Sequence, residues 1–387
     1  MSEWKCYKLS EISSLSNGIN FEKSAYTSGV KLIGVSDFKN RIHPDYDSLQ
    51  EVDSKVVKSG DYLEIGDIVF VRSNGNKELV GRCMIIDRDI PVTYSGFCIK
   101  LRLKDKKRFE PVFFNYLFKT RQFKKSMTGT AVGANIQNLS QSRLGNCEIN
   151  VPDIETQKRI ATILSRYDSL IENYQKQIKL LEEAAQRLYK EWFIDLRFPG
   201  HENTKIVDGL PEGWEVKSII DVYNFKYGKI LPTKDFVKDG AIPVYGASKQ
   251  IGRYSKANCF EPKVLIGSRG NAGFVHRTIE DETYVTNNSF IVEPKKEFRY
   301  LRLPYIYESL KVMDFVAICT GAAQPQLTLN SIASLKYIIP SDRIITDYCD
   351  VSVLFFKKIA MSYKQLRLLT EARDRLLPKL MSGEITV

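Results

Sequence analysis

Apolar residues recur along the middle of the chain with the spacing of a long amphipathic helix. Between residues 160 and 192 the apolar positions are separated alternately by four and three residues, which is the spacing of a coiled-coil seam. A less regular run of the same kind lies near the carboxyl terminus, where Ser362 and Arg373 interrupt it. We expect both runs to form long helices that pack against a partner helix, and packing within a larger helical bundle is the alternative. The predicted seam consists of Ile160, Leu164, Tyr167, Ile171, Tyr174, Ile178, Leu181, Leu188 and Trp192 in the first run and Phe355, Ile359, Leu366, Leu369, Leu376 and Leu380 in the second.

The two helical runs are also similar to each other in sequence. Residues 176–188 (KQIKLLEEAAQRL) match residues 364–376 (KQLRLLTEARDRL) at eight of thirteen positions, with an offset of 188. The same offset aligns Pro152 with Pro340, and each of these prolines precedes a helical run. The chain is therefore predicted to consist of two repeats.

Weaker similarities extend the repeat towards the amino terminus, although the regions between them diverge. They pair Trp4 with Trp214, residues 75–82 with residues 270–277, residues 129–131 with residues 321–323, and residues 138–140 with residues 326–328.

Each repeat begins with a strand-rich globular part. Short β-branched or aromatic runs bounded by Gly, Pro, Asn or Asp are typical of strands, and they occur at residues 66–71, 97–101, 263–267 and 290–292. Residues 111–125 and 300–315 instead carry apolar side chains at helical spacing. The fold class is therefore predicted to be α+β, with two mixed α/β domains separated by two long helices.

The order of these segments predicts how the helices run. We divide the chain into a first globular domain at residues 1–152, a first helix at 153–198, a second globular domain at 199–340 and a second helix at 341–387. If the helices bury their seams against each other, the second must return towards the first domain. The pair would then be an antiparallel coiled coil about 50 Å long, and the internal repeat would have pseudo-two-fold symmetry.

The net charge of the chain indicates a polyanionic partner. Of 387 residues, 57 are Lys or Arg and 46 are Asp or Glu, which gives a formal net charge of +11. Such a balance favours nucleic acid as the partner. A coiled coil of about 50 Å spans roughly 15 base pairs of double-stranded DNA, and two domains related by a dyad can face one side of a duplex. Because the domain sequences diverge, the two DNA half-sites should differ.

The sequence carries no recognisable signal for a membrane, a metal or a catalytic site. No stretch approaches the roughly 20 apolar residues that cross a bilayer, and the amino terminus has no apolar signal region, so we expect a cytoplasmic protein without a membrane partner. The seven cysteines contain no CxxC pair and the three histidines are far apart. No phosphate-binding loop or methyltransferase signature is found, and Asp153 is interpreted as the N-cap of the first long helix.

Four segments of the chain carry a family resemblance: LPEGWE at residues 210–215, GDIV at 66–69, TGAAQPQL at 320–327 and LLPKLMSGEI at 376–385. Together they resemble the specificity subunit of a type I restriction-modification system. The resemblance covers essentially the whole chain and implies two target recognition domains, each reading one part of a bipartite asymmetric DNA site. It also implies that the helices act as a ruler and as a docking surface. One departure is GANIQ at residues 133–137, where the second repeat has QPQ.

The resemblance further implies a non-catalytic subunit whose partners do the chemistry. These partners would be modification subunits, two in number, which bind S-adenosylmethionine and methylate adenine, and restriction subunits, which use ATP and Mg to translocate and cleave DNA. No cofactor is expected in this chain itself. Two alternatives stay open: a DNA methyltransferase or nuclease with unrecognised motifs, and a repeat scaffold that binds only proteins.

The candidate DNA contacts are polar side chains in loops next to the predicted strands. Reading a base pair requires a hydrogen-bonding side chain at its edge, such as Arg at guanine or Asn and Gln at adenine. A structural role in a polar turn is the alternative for each candidate. Basic runs at residues 104–108 and 119–125 are candidates for phosphate contacts. The base-contact candidates are Arg72, Ser73, Asn74, Asn76, Lys77, Thr128, Asn135 and Gln137 in the first repeat and Tyr245, Ser248, Lys249, Gln250, Ser268, Arg269, Asn271, Thr320, Gln324 and Gln326 in the second.

Overall fold

The chain folds into two compact units. The computed structural model describes residues 4–38, 41–73, 79–128, 138–321 and 324–387. The first unit consists of Met1–Glu172 with Leu368–Val387, and the second of Asn173–Arg367. Each of the two long helices is divided between the units, so the domain limits expected from the sequence stay a prediction.

The described residues of the first unit form two small sheets and a strand pair. Its elements in chain order are β1 (Lys5–Lys8), α1 (Leu9–Ile12), β2 (Ser13–Asn17), β3 (Tyr26–Ile33), β4 (Gln50–Val52), β5 (Ile68–Val71), β6 (Cys83–Ile85), β7 (Val92–Tyr94), β8 (Cys98–Leu103), α2 (Pro111–Lys119), α3 (Arg121–Thr128), α4 (Gln141–Gly145), β9 (Glu148–Val151) and the first part of α5 (Ile154–Tyr189). One sheet has the order β2-β8-β5-β6 and is antiparallel, and the other has the order β4-β3-β7 with β3 parallel to β7. Strand β1 pairs with β9.

The second unit repeats this arrangement. Its elements are the rest of α5, β10 (Ile206–Val207), β11 (Leu210–Pro211), β12 (Glu215–Ser218), α6 (Ile219–Val222), β13 (Tyr223–Tyr227), β14 (Ile242–Tyr245), β15 (Gln250–Tyr254), β16 (Val264–Gly267), β17 (Val275–Arg277), β18 (Tyr284–Val285), β19 (Ser289–Pro294), α7 (Leu303–Lys311), α8 (Leu329–Ala333), β20 (Lys336–Ile339) and the first part of α9 (Asp342–Ser382). Its sheets have the orders β13-β19-β16-β17 and β15-β14-β18, and β12 pairs with β20. The predicted α+β fold with an internal repeat is therefore confirmed.

Each unit has a core to which a globular part and the long helices both contribute. In the first unit the fully buried rings of Phe113, Phe114 and Phe118 on α2 lie in one apolar cluster with Ile160 and Leu164 of α5. In the second unit Tyr189 at the end of α5 and Phe193 just after it share a cluster with residues of β16, α7 and α9. The helices thus complete the core of each globular part.

The long helices are antiparallel within the first unit. Leu380 of α9 lies in the same core cluster as Ile160 of α5. Two turns further along α5, Asp168 forms an ion pair with Arg373 at 2.5 Å. The residue numbers of α9 fall as those of α5 rise, so the two segments run in opposite directions. Arg373 interrupts the apolar pattern because it has this buried carboxylate as its partner.

The helices are also antiparallel within the second unit. The rings of Tyr189 and Tyr348 are 6.2 Å apart, and Tyr363 lies beside Glu182. Burial, followed by the charge of Glu182, raises the pKa of the Tyr363 phenol. The other interruption of the pattern, Ser362, is only 1% exposed. All fifteen residues of the predicted seam are buried or half-buried.

Local hydrogen bonds divide one predicted helix into two and cap the first long helix. Residues 111–125 form two helices because Thr120 breaks the first, donating to the Leu117 carbonyl at 2.7 Å and accepting from the Phe123 N–H at 3.2 Å. Helix α5 begins at Ile154. Asp153 caps it as expected, since its carboxylate accepts the Thr156 N–H at 2.9 Å, and this hydrogen bond lowers the pKa of Asp153.

Candidate nucleic-acid interface

In the second unit, two candidate sets that are far apart in sequence lie side by side. Strand β16 ends at Gly267, and Arg269 just after it forms an isolated β-bridge with Gln326. Gln326 also pairs with Thr320 through two backbone hydrogen bonds of 2.8 and 2.9 Å. The loop after β16 and the segment at 320–326 therefore form one surface.

A third candidate set joins this surface. The Asn271 amide donates to the Ser248 hydroxyl at 2.6 Å, which brings the loop between β14 and β15 next to the end of β16. Lys249 in that loop and Gln250 at the start of β15 are exposed. Gln250 has one local partner, because its amide donates to the Gly252 carbonyl at 3.3 Å.

The side chains on this surface are suited to contact DNA. The exposed candidates are Lys249, Gln250, Arg269, Asn271, Thr320 and Gln324. No side chain in the described part of the chain forms a hydrogen bond or ion pair with the Arg269 guanidinium. An exposed Arg presents a forked set of donors to the edge of guanine or to a phosphate, and amides present a matching pair to adenine.

Two candidates in the second unit are corrected by their burial. Tyr245 is 6% exposed and Ser268 is 1% exposed. The Tyr245 hydroxyl donates to Glu280 at 2.8 Å, and the Ser268 hydroxyl donates to the Asn287 carbonyl at 3.3 Å. Both side chains belong to the interior of the globular part, so we remove them from the set of base contacts.

The first unit has the same construction at the end of β5. Ser73 forms an isolated β-bridge with Asn138, as Arg269 does with Gln326. Arg72 is half-buried, and its guanidinium lies 3.4 Å from the Gly96 carbonyl. The remaining candidates of this repeat, together with the side chain of Thr128 at the end of α3, lie outside the described residues: Asn74, Asn76, Lys77, Asn135 and Gln137.

Backbone hydrogen bonds show which residues are equivalent in the loop after β5 and the loop after β16. The N–H of Gly81 donates to the Val71 carbonyl at 2.9 Å, and the N–H of Gly273 donates to the Gly267 carbonyl at 2.8 Å. Both glycines have positive φ values, 79° and 83°, which few other residues adopt. Gly81 is thus equivalent to Gly273, and the pairing of residues 75–82 with residues 270–277 is wrong because the loop of the second repeat is shorter.

The same framework presents different side chains in the two repeats. The N–H of Leu139 donates to the Arg72 carbonyl at 2.8 Å, and the N–H of Leu327 donates to the Ser268 carbonyl at 3.0 Å. Arg72 is therefore equivalent to Ser268, and Ser73 to Arg269. The arginine stands one position later in the second repeat, so the two surfaces offer donors in different places.

The candidate surface of each unit also has an exposed aromatic residue that the sequence did not indicate. Phe97 is 61% exposed and its carbonyl accepts the N–H of Arg72 at 2.8 Å. Phe274, directly after Gly273, is 50% exposed. The sequence signal was slight, since an aromatic residue beside a strand is normally taken as part of the core.

Several lysines of the predicted basic runs have partners inside the fold. Lys104 donates to the Ser10 carbonyl at 2.9 Å, Lys106 to the Ile65 carbonyl at 2.7 Å, and Lys119 to the Cys83 carbonyl at 2.8 Å. Ile65 precedes β5, whereas Arg72 follows it, so the first basic run lies at the opposite end of that strand from the candidate surface.

The buried histidine near the candidate surface of the second unit is neutral and offers no charge to DNA. Burial lowers the pKa of His276 on β17 to about 4, and its ring stacks 6.3 Å from that of Tyr245.

Within the described residues, no group of three or more His, Cys, Asp or Glu side chains could hold a metal ion. None of the helices in that part of the chain has both the length and the apolar character needed to span a bilayer.

The comparisons with known proteins all indicate the same protein family. The sequence model described as "Type I restriction modification DNA specificity domain" matches residues 1–183 and 211–351, one match in each repeat. The MjaIX specificity subunit of Methanocaldococcus jannaschii is 29% identical over 304 residues, which cover 71% of this chain and 69% of that protein. The HindI specificity subunit of Haemophilus influenzae is 23% identical over an alignment that covers 100% of both.

A solved structure has the same fold. It is the crystal structure of a type I restriction-modification system S subunit from M. genitalium, with a TM-score of 0.65 and 21% sequence identity. The superposition covers 98% of this chain and 96% of that one.

Proposed function

Because the chain belongs to the family of type I restriction modification DNA specificity domains, we propose that it reads a bipartite asymmetric site in double-stranded DNA. One part of the site is read by each repeat. The proposal rests mainly on one observation: equivalent loops, joined to equivalent segments by the β-bridges of Ser73 and Arg269, carry unlike side chains. Two copies of a framework with different donors are suited to two different half-sites.

The second repeat offers the better-defined reading surface. Arg269 and Asn271 are exposed in one loop, and Thr320 and Gln324 are exposed in the segment beside it. Hydrogen-bonding side chains on adjacent segments can contact neighbouring base edges in a major groove, and Lys249 can hold a phosphate beside them. The net charge of +11 supports an attraction to DNA that does not depend on sequence.

The second part of the proposal is that the long helices dock the modification subunits. Each long helix carries large apolar side chains that are exposed, and contiguous exposed apolar surface is typical of protein-binding sites. On α5 these are Leu170 at 46% and Leu180 at 53% exposure, and on α9 they are Leu354 and Met361, each at 63%. Leu170 lines one groove of about 660 Å³ and Leu180 lines another of about 420 Å³.

We further propose that this subunit is not itself a catalyst. Adenine methylation with S-adenosylmethionine would be carried out by two modification subunits, and ATP- and Mg-dependent translocation and cleavage by restriction subunits. The length of the helices would then set the gap between the half-sites. Helix α5 alone has 36 residues, which at about 1.5 Å each corresponds to roughly 16 base pairs.

The experiment that tests the proposal is a map of methylated adenines. The chain is produced together with the modification subunit encoded beside it, in a host without other adenine methylation, and the modified positions are located across the genome. We expect methylation at a motif of two unlike parts separated by a gap of fixed length. The same host with the modification subunit alone is the control and should show none.

The alternatives give different results in this experiment. A methyltransferase or nuclease would modify or cut DNA when the purified chain is incubated alone with S-adenosylmethionine and Mg²⁺. A scaffold that binds only proteins would give methylation without a sequence motif. A continuous motif, random methylation or activity of the isolated chain would each refute the proposal.

A further inference from the structure

An exposed phenyl ring lies beside the candidate contacts Arg72 and Ser73 of the first unit. Phe97 lies at the tip of the turn that leads into β8 and is 61% exposed. The turn is attached to the segment after β2, because the N–H of Gly96 donates to the Ile19 carbonyl at 2.7 Å. The Phe97 carbonyl in turn accepts the N–H groups of Arg72 at 2.8 Å and Ser73 at 3.4 Å. The backbone of Phe97 is therefore fixed next to the two candidate contacts after β5, and its ring is open to solvent.

The same backbone position in the second unit carries an asparagine. The N–H of Asn287 donates to the Lys229 carbonyl at 3.2 Å, as Gly96 does to Ile19. The Asn288 carbonyl accepts the N–H of Ser268 at 2.7 Å and that of Arg269 at 3.4 Å. Asn288 is exposed, and no described residue forms a hydrogen bond with its side-chain amide. Phe97 and Asn288 are thus equivalent.

A close backbone approach holds both turns in place. A Cβ atom on Gly18 would lie 2.2 Å from the Tyr94 carbonyl oxygen, and one on Gly228 would lie 2.3 Å from the Thr286 carbonyl oxygen. Only glycine allows such contact, so each turn is packed directly against the end of β2 or β13. A side chain at the tip is held by a rigid support, which favours precise contacts with a ligand.

We infer that positions 97 and 288 are equivalent base-contacting positions, where Phe97 reads DNA with its ring and Asn288 reads it with its amide. A phenyl ring in a groove can contact the methyl group of thymine or insert at a base step. An amide can pair with the edge of adenine. The two repeats have the same backbone hydrogen bonds at this position but different side chains, so this position distinguishes the two half-sites. The inference rests on the proposed function and adds a specificity-determining residue to each repeat.

The test replaces these two residues in the intact complex. Phe97→Ala and Asn288→Ala are each produced with the modification subunit, and the methylated motif is mapped. We expect Phe97→Ala to relax the base preference about tenfold at one position of one half-site and to leave the other half-site unchanged. Asn288→Ala should do the same in the opposite half-site.

A matched control is available at the other end of β5. Ile65 is 50% exposed and precedes that strand, whereas the residues beside Phe97 follow it. Ile65→Ala should leave the motif as it is, and Phe97→Leu should retain more of the preference than Phe97→Ala. Unchanged motifs in both alanine variants, or equal relaxation by Ile65→Ala, would overturn the inference. A wild-type complex without a split motif would instead refute the proposed function itself.

Discussion

A buried ion pair between the long helices of the first unit gives the sharpest test of their packing. Arg373 on α9 donates to one oxygen of Asp168 on α5 at 2.5 Å, and the Tyr116 hydroxyl of α2 donates to the other at 2.5 Å. Asp168 is 6% exposed. Burial, together with the charge of Asp168, raises the pKa of Tyr116, so this phenol stays protonated as a donor.

Asp168→Ala leaves two buried donors without their acceptor. Removing one partner of a buried ion pair costs about 3–5 kcal/mol. The Arg373 side chain is 22% exposed, so water can reach part of the stranded guanidinium, and we expect a loss near the lower end, about 3 kcal/mol. The double variant Asp168→Ala with Arg373→Ala should lose less than the sum of the two single alanine variants, because it leaves no unpaired charge and only the Tyr116 hydroxyl without its acceptor.

The free energy of unfolding in urea is the measurement, arranged as a double-mutant cycle. The matched control is Arg375→Ala, since Arg375 is exposed on the same helix, and its effect should stay within about 0.5 kcal/mol. A coupling energy near zero between positions 168 and 373, or an equal loss in Arg375→Ala, would contradict the described packing.

Two further predictions concern the second unit. Burial raises the pKa of the Glu308 carboxyl on α7 from 4.5 to about 7. The folded state therefore binds this proton more tightly than the unfolded chain. The resulting stabilisation of the fold is complete below pH 4.5 and is lost as the pH rises through 7. Glu308→Gln should therefore gain up to about 3 kcal/mol of unfolding free energy over the wild type at pH 8 and little at pH 4.5, and an equal gain at both pH values would refute this assignment. Lys249→Ala should lower the salt dependence of DNA binding by about 0.9 in the log–log slope, because Lys249 is the proposed phosphate contact. The control is Arg343→Ala at the start of α9, where the side chain is 89% exposed, and an equal change in both variants would argue against that contact.

The long helices could be predicted because their signal is local. Apolar residues at alternating spacings of four and three are present in the sequence whatever the rest of the chain does. The two interruptions could not be explained in the same way. Arg373 has its partner 205 residues away in Asp168, and no local pattern reports a contact at that distance.

The candidate surface was predictable in part. Polar loops after strands indicated Arg269 and Asn271, both of which are exposed. Burial of Tyr245 and Ser268 depends on strand order, which sequence patterns leave undetermined. Exposure of Phe97 depends on the turn that carries it, and a residue type alone points to the core. The loop equivalence between the repeats required backbone hydrogen bonds, because the two loops differ in length.

Lengthening both long helices tests the central claim most directly. Four residues of helix-forming sequence are inserted after Ile178 and another four after Leu366, and the methylated motif of the complex is mapped beside that of the wild type. One added turn is about 6 Å, so the account predicts a gap wider by about two base pairs with both half-sites unchanged. An unchanged gap in an active complex, or altered half-sites, would contradict it.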